Sequence, residues 1–516
     1  MLSHIRATDK VVGARSNSEL NMPTTSSKRH PLPSQAVPSP AAPRQGAPLD
    51  LPLRLDRSAG NQALQVYGSL RGAILDGRLA AGLRLPSTRA LAQQFGVKRN
   101  AVVIAYEHLQ SEGLADARTG SGTFVASLPA PARNTRRLTT VPRGIKPAPT
   151  RPFALGKTYA DPQLLRRLAA ATRRRIMKAD DAAFGYGDPR GDATLRAEIA
   201  RYLAASRGFI CDPDCILVVN GIQQGMRMCV EALLQPGDAV WMEDPGYPVA
   251  CRTLTRAGLK VVPVPVDAEG IDVRAGAKRS PAAKAAYVTP SHQFPTGVTM
   301  TMARRIALVE WARSAKAWLL EDDYDSEFRY GGPPLTALAG IGGGDRAIYL
   351  GTFSKLLGAG LRLAYMVLPP SALDQVIAVR EGHDRFPPGF LAGAVADLMA
   401  EGFIADHIRR MRRRYRGSRD AIVATLERAA GSALRLVSPQ QGLHLLALLP
   451  DGLPADAADA IRAQAQVETW LLSETRLKAT GADGFILGFG GHDVAELTSA
   501  ATALGHAARR YVDVLR

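Results

Sequence analysis

Apolar positions along the chain follow two different rhythms. From residue 61 to about 126 the period is helical. Leu64, Tyr67, Leu70, Ile74 and Leu75 predict a first helix. "LPSTRALAQQFG" predicts a second that begins at Pro86 and Ser87, with Ser87 as N-cap and Gly96 as its breaker. Val102, Ala105, Tyr106 and Leu109 then recur at i, i+3, i+4 and i+7 and predict a third helix that stops at Gly113. Two short helices joined by a tight glycine-containing turn predict a helix-turn-helix. Gly120, Ser121 and Gly122 predict a turn between two short strands, the shape of a wing. Beyond Phe153 the rhythm changes to short continuous apolar runs: "CILVV", "DAVWM", "AAYV", "AWLL", "AIYL" and "LAYMV". Each ends in a polar turn, and helical stretches separate them. This predicts an α/β body built on a mostly parallel sheet buried on both faces.

Composition sets the boundaries between these regions. Residues 1–59 are rich in Pro, Ser and charge and nearly without aromatics, so they predict a disordered leader. Residues 127–152 carry Arg133, Arg136, Arg137, Arg143, Lys146 and Arg151 with no acid, which predicts a basic, proline-punctuated linker. The expected division is therefore a 60–126 head and a 153–516 body. A length of 516 residues already requires more than one core. The formal charge of +18 points to a polyanionic partner without distinguishing DNA, RNA or membrane. No apolar run approaches a spanning helix and the N-terminus lacks an apolar signal core, which predicts a soluble, cytoplasmic protein with no membrane partner. Cys211, Cys215, Cys229 and Cys251 have neither zinc spacing nor disulfide density and are expected as buried thiols. The histidines are scattered without ligand spacing, so no metal is expected.

In the head, Lys98, Arg99 and Asn100 open the third helix, the end that enters a major groove. There Arg can fork to guanine and Asn to adenine. The segment resembles the GntR family of winged helix-turn-helix regulators through "LPSTRALAQQFGV", the Tyr106, Leu109 and Gly113 spacing, and "TGSGTFV". The resemblance implies that Arg89, Arg99 and Asn100 touch operator DNA and that Thr119 and Gly120 belong to the wing. Lys98 departs from the Ser or Thr common in that family and adds a candidate phosphate contact.

In the body, ligands are expected at the carboxyl ends of the strands, so the residues after each run form the candidate site. "NGIQQGM" places Gly221, Ile222 and Gln223 at a helix start suited to a phosphate. "EDPGYP" offers Tyr247 as a flat ring for stacking. "EDDYDSEF" puts Asp322 and Tyr324 on one side of an extended segment. "GTFSK" and "LLGAGLR" add Thr352, Ser354, Lys355 and Arg362. A phosphate cradle, a stacking ring, a carboxylate, a phenol and a lysine are together what pyridoxal 5'-phosphate requires.

From about Phe153 onward the chain also resembles fold-type I, aspartate-aminotransferase-like enzymes, through "YGDPRGDATLR", "EDPGYP", "EDDYDSEF" and "GTFSKLLGAGLRLAYMVLP". The resemblance implies a large sheet domain with a small α/β domain. It makes Lys355 the Schiff-base lysine, Asp322 the partner of the pyridine nitrogen, Tyr324 the partner of the phenolic oxygen and Tyr247 the stacking ring. Thr352, Ser354 and Arg362 join residues 221–223 around the phosphate, and Tyr186 reaches the phosphate of a neighbouring subunit in a homodimer. Phe294 departs from the pattern, since aminotransferases place Asn there to hold the ring oxygen; His292 and Gln293 are the candidates to compensate. Arg476 is the candidate for an effector carboxylate.

Head and body together resemble the MocR subfamily of GntR-type regulators. That implies operator binding controlled by a pyridoxal phosphate domain that senses an amine, an amino acid or the cofactor itself. The rival reading is a working aminotransferase whose DNA-binding head regulates its own gene, and a third makes the cofactor purely structural. The basic stretch from His407 to Arg419 has two readings, a solvated face or an added DNA contact.

Overall fold

The structure, a computed structural model, describes residues 61–127 and 151–515 except 343, 479 and 480. The expected leader and positions 128–150 of the expected linker lie outside the described residues. The chain divides into two compact units, Met1–Gly144 and Ile145–Arg516.

The first unit contains helices α1 (Gln62–Leu75), α2 (Thr88–Phe95) and α3 (Arg99–Ser111), then strands β1 (Ala115–Arg118) and β2 (Gly122–Val125), which pair antiparallel. Ser87 caps α2 by accepting a hydrogen bond from the Ala90 N–H at 3.2 Å, and Gly96 ends it in the left-handed region at φ 64°. A glycine suits that position because a Cβ is disfavoured there. The core of α3 is Val102, Ala105, Tyr106 and Leu109, as the spacing predicts. For α1 the expected face is displaced. Leu70 and Ile74 point inward as predicted, but Leu64 and Leu75 are exposed, and Ala63, Val66 and Ala73 are buried in their place.

The second unit is built on an eight-stranded sheet. Its strands are β3 (Ile216–Val219), β4 (Ala239–Asp244), β5 (Lys260–Asp267), β6 (Gly270–Ile271), β7 (Ala285–Val288), β8 (Trp318–Asp323), β9 (Ala347–Thr352) and β10 (Ala364–Val367). The spatial order is β3-β10-β9-β8-β7-β4-β5-β6. All six apolar runs are strands. The pairs β4–β5, β4–β7, β7–β8 and β8–β9 are parallel, whereas β10 runs antiparallel between β3 and β9. The sequence reading missed β5, "KVVPVPVD", because prolines argue against a central strand; it lies beside the two-residue edge strand β6, where missing N–H donors are tolerated.

Helices α4 (Pro162–Met177), α5 (Ala193–Arg207), α6 (Ile222–Leu233), α7 (Pro248–Arg256), α8 (Val273–Arg279) and α9 (Met302–Ser314) alternate with these strands, and α10 (Pro370–His383), α11 (Gly389–Ala400) and α12 (Phe403–Ala430) follow the sheet. A smaller antiparallel sheet, ordered β11 (Arg435–Val437), β12 (His444–Leu448), β14 (Gly484–Gly488) and β13 (Trp470–Leu471), packs with α13 (Ala457–Ala465) and α14 (Val494–Leu515). This is the large and small domain arrangement of fold-type I.

The three consecutive acids that end β8 show how the sheet sorts its side chains. Period-two alternation sends Glu321 and Asp323 to one face. There Asp323 pairs with Arg207 at 2.8 Å and Glu321 accepts the Leu338 N–H at 2.8 Å. Asp322 is left on the opposite face, where the strand ends form a cavity.

Candidate functional site

The cavity is about 290 Å³ and opens at the carboxyl ends of β4, β7, β8 and β9. One end is a polar cradle. Gly221 precedes α6 at φ 112°, and a Cβ there would sit 2.6 Å from the Arg362 Nη2. The absence of that Cβ lets the Arg362 guanidinium lie against Gly221, beside the first turn of α6. The Thr352 hydroxyl donates to Ser354 Oγ at 2.9 Å and accepts the Ser354 N–H at 3.0 Å, so both hydroxyls are fixed at the cradle's rim. Helix N-terminus, hydroxyls and guanidinium together suit a phosphate dianion.

Lys355 follows directly and is half-buried. Loss of hydration lowers its pKa, and the nearby Asp325 and Asp322 carboxylates oppose that shift. A lysine held below its ordinary value presents more free amine at neutral pH, the form that attacks a carbonyl.

Asp322 is pushed up to about 7, chiefly by burial. Its Oδ2 accepts a 2.5 Å hydrogen bond from Tyr287, whereas its Oδ1 is buried without a partner. A buried carboxylate oxygen lacking a donor is costly. A protonated ring nitrogen would supply the missing donor, and so the residues present fit pyridoxal phosphate. Tyr247, at the start of α7, presents its ring to the cavity and packs edge-on against Phe294 at 5.5 Å.

The structure brings Gly221, Ile222, Gln223, Tyr247, Asp322, Tyr324, Thr352, Ser354, Lys355 and Arg362 to this one cavity. Two predicted residues lie elsewhere. Tyr186 is 81% exposed, flanked by Phe386 and Arg385. Arg476 points its guanidinium at the carbonyls of Gly481 and Ala482, at 2.8 and 2.7 Å, and does not line the cavity.

His292 and Gln293 do not take the place of the absent Asn, because both side chains are held behind the wall. Gln293 donates to Glu243, Pro245 and Phe294 oxygens. His292 Nδ1 lies 2.9 Å from Asp325 and 3.1 Å from the Tyr324 hydroxyl. Phe294 itself faces the cavity, beside Trp470, Leu155 and Leu443.

Sequence reasoning missed Tyr287, Asp325 and His444. Tyr287 could have been noticed as the one phenol in an otherwise aliphatic strand. Asp325 lay in the quoted motif; it receives the Leu443 N–H at 3.0 Å and so ties β8's loop to the small domain. His444 comes from a distant strand, is buried and bonded to the Pro295 carbonyl, and burial lowers it to about 3, so it is neutral. The scattered histidines are also less scattered in space. His292, Asp325 and His444 converge within 4.8 Å, although their nitrogens and oxygens are largely occupied by one another and by backbone. Of the four cysteines only Cys229 is fully buried; the other three are half-buried thiols, a correction to the expectation of four buried ones.

In the first unit, Arg89, Lys98, Arg99, Asn100, Thr119 and Gly120 are all exposed. Lys98 stands at the N-cap of α3 and makes no capping bond with its side chain. Arg99 is braced by Thr88 of α2, its Nε 3.3 Å from the hydroxyl.

Comparison with known proteins agrees with this geometry. The gntR family of bacterial regulatory proteins matches residues 62–125, and the class I and II aminotransferases match residues 157–482. The probable rhizopine catabolism regulatory protein MocR of Rhizobium meliloti is 35% identical over 86% of this chain and 92% of its own. The chain belongs to the MocR-type GntR regulators. Another relative of this MocR-type chain is the pyridoxine biosynthesis transcriptional regulator PdxR of Corynebacterium glutamicum, 33% identical over 86% of this chain and 95% of its own. Among solved structures, the α-aminoadipate aminotransferase LysN of Thermus thermophilus, complexed with N-(5'-phosphopyridoxyl)-L-leucine, superposes with a TM-score of 0.64 at 26% identity, covering 70% of this chain and 92% of that one. The MocR-type body thus has the fold of pyridoxal phosphate aminotransferases. No helix among the described residues is long and apolar enough to cross a membrane.

Proposed function

We propose that this regulator binds operator DNA through residues 60–126 and holds pyridoxal 5'-phosphate in residues 153–516, with Lys355 as the covalent anchor. The observation that carries the cofactor assignment is the orphaned Asp322 Oδ1 across the same cavity from Lys355 and the Gly221–Arg362 cradle. When bound, the cofactor supplies an electrophilic carbon for amines and an electron-withdrawing ring.

The chain's own residues set the rest. Asp322, steadied by Tyr287, holds a proton on the ring nitrogen. Tyr247 would stack on the ring and Tyr324 would serve its phenolic oxygen, since both line the cavity. The cradle of Thr352, Ser354, Arg362 and residues 221–223 binds the phosphate. Lys355 is the amine that an incoming amine or amino-acid effector displaces, or the group that reads the cofactor itself. Release of Lys355 would untether β9's loop, and it would matter to DNA only if the two states bind operator differently.

The exposed strip of Leu165, Ile176, Met177, Phe184 and Tyr186 supports a homodimer, in which Tyr186 serves the partner's phosphate. In the head, Arg99 and Asn100 read bases, Arg89 and Lys98 take phosphates or neighbouring bases, and Thr119 and Gly120 form the wing. The protein works in the cytoplasm, where operator DNA lies.

The test uses an operator selected from random duplexes by the protein itself. Its affinity is measured with and without cofactor and an amine panel, in wild type and Lys355→Ala. The proposal expects a ligand-dependent change in wild type that the variant lacks, with basal binding retained. Steady turnover of an amino donor with a 2-oxo acid, and no effect of any ligand on operator affinity, would support the fused-aminotransferase reading instead.

A further inference from the structure

A second polar cavity, of about 90 Å³, lies behind the loop that follows β8. Arg207, Arg329 and Arg412 line it, with Ser326 and Gln441 among the other walls. Arg207 is electrically satisfied by Asp323 at 2.8 Å and Glu327 at 3.7 Å. The other two guanidiniums are not. Among the described residues neither Arg329 nor Arg412 pairs with a carboxylate. Arg329 donates to the neutral Gln441 Oε1 at 3.0 Å, and Arg412 donates to the Glu327 carbonyl at 2.5 Å. The Nε of Arg329 is buried with no acceptor. Gly332, at φ 77°, makes room for that side chain, since a Cβ there would stand 2.9 Å from Arg329 Nη2.

Two guanidiniums without a carboxylate face one small cavity, and the orphaned Arg329 Nε is a buried donor that an anion would satisfy. Guanidiniums are the side chains best matched to a tetrahedral oxyanion. We propose that this cavity is a phosphate-binding site, separate from the cofactor cradle, with Arg329 and Arg412 as its ligands. At about 90 Å³ its size admits a phosphate group. The site gives Arg412 of the basic helix a role that is neither a solvated face nor a DNA contact. It also touches the main pocket's frame, because Gln441, bonded to Arg329, donates to Thr299 at 2.7 Å and to the Ser291 carbonyl.

The experiment titrates the full chain with inorganic phosphate by calorimetry, in buffer free of phosphate and sulfate. Wild type is compared with Arg412→Gln, Arg329→Gln and the cradle variant Arg362→Ala. The expected result is saturable binding that weakens at least about tenfold in Arg412→Gln and Arg329→Gln and survives Arg362→Ala. Arg412 is largely exposed, so its variant keeps the test valid if Arg329→Gln folds poorly. A parallel titration with glycerol 3-phosphate assigns the source: tighter binding than inorganic phosphate means a phosphorylated metabolite, weaker binding means the free ion. Absence of saturable binding, or binding that Arg412→Gln leaves intact, overturns the proposal, as does binding lost in Arg362→Ala alone.

Discussion

The proposed DNA-reading surface and the proposed cofactor pocket solve opposite problems. In the head, Arg89, Lys98, Arg99 and Asn100 are exposed, and Thr88 braces only Arg99. Their chemistry is supplied by helix position alone, and water satisfies them until DNA arrives. In the pocket, Asp322 is buried and Tyr324 and Lys355 are half-buried in a web of carboxylates and phenols that shifts the protonation of each. A surface reader can lose one side chain without disturbing the others. A buried site cannot, because every charge in it stabilises or opposes another.

The largest effect should come from the head. Replacing Arg99 and Asn100 by Ala together is expected to weaken operator binding by about 100-fold, on the basis of ~10-fold or more for each base contact. The cofactor absorbance of the same variant should stay unchanged. A parallel change in both, followed by fluorescence anisotropy and absorbance, would show that the two sites are not separable.

Asp322→Asn should act through the pocket alone, weakening cofactor binding about tenfold by removing the charged partner of the ring nitrogen. It also bears on pH. Burial holds Asp322, Glu243 and Glu321 each up to about 7, above the ordinary carboxylate range. The native state thus keeps protons that the unfolded chain releases near pH 4, and this stabilising contribution is lost as pH rises through about 7. Cofactor-free wild type should therefore have a higher urea midpoint at pH 6 than at pH 8, and Asp322→Asn should flatten that slope. An equal slope in the two proteins would remove Asp322 from the account.

Tyr287→Phe deletes a bond that favours the Asp322 carboxylate, so the Asp322 pKa should rise further and cofactor affinity should fall a few-fold at neutral pH. The loss should be greater at pH 6 than at pH 8, a dependence that a mere packing defect would not produce. The smallest effect is Ser87→Ala. Losing the N-cap of α2 should cost the head ~1 kcal/mol, seen as a lower melting transition, with the body's transition unmoved.

Much of this was legible in the sequence for identifiable reasons. Ser87, Gly96 and Gly120 carry local backbone rules, and the cap, the helix end and the wing turn follow from them without tertiary information. The six apolar runs were all strands because a sheet buried on both faces leaves unbroken apolar segments. The cofactor residues were readable because they follow those strands at their carboxyl ends.

What escaped depended on distance. Tyr287 matters only because β7 lies beside β8, and His444 comes from a strand of the other sheet. On α1, Ala63, Val66 and Ala73 are buried where the more apolar Leu64 and Leu75 are not, an outcome that hydropathy spacing does not encode. Arg476 was placed by the aminotransferase resemblance, whereas its guanidinium is bonded to its own loop.

The central claim is that Lys355 anchors the cofactor, and borohydride reduction of the purified protein with pyridoxal phosphate, followed by peptide mapping, tests it most directly. The account predicts a visible absorbance band that reduction abolishes, with a pyridoxyl group fixed on the peptide containing Lys355. No band after added cofactor, or a label spread over other lysines, would contradict it and leave the body as a scaffold for the DNA-binding head.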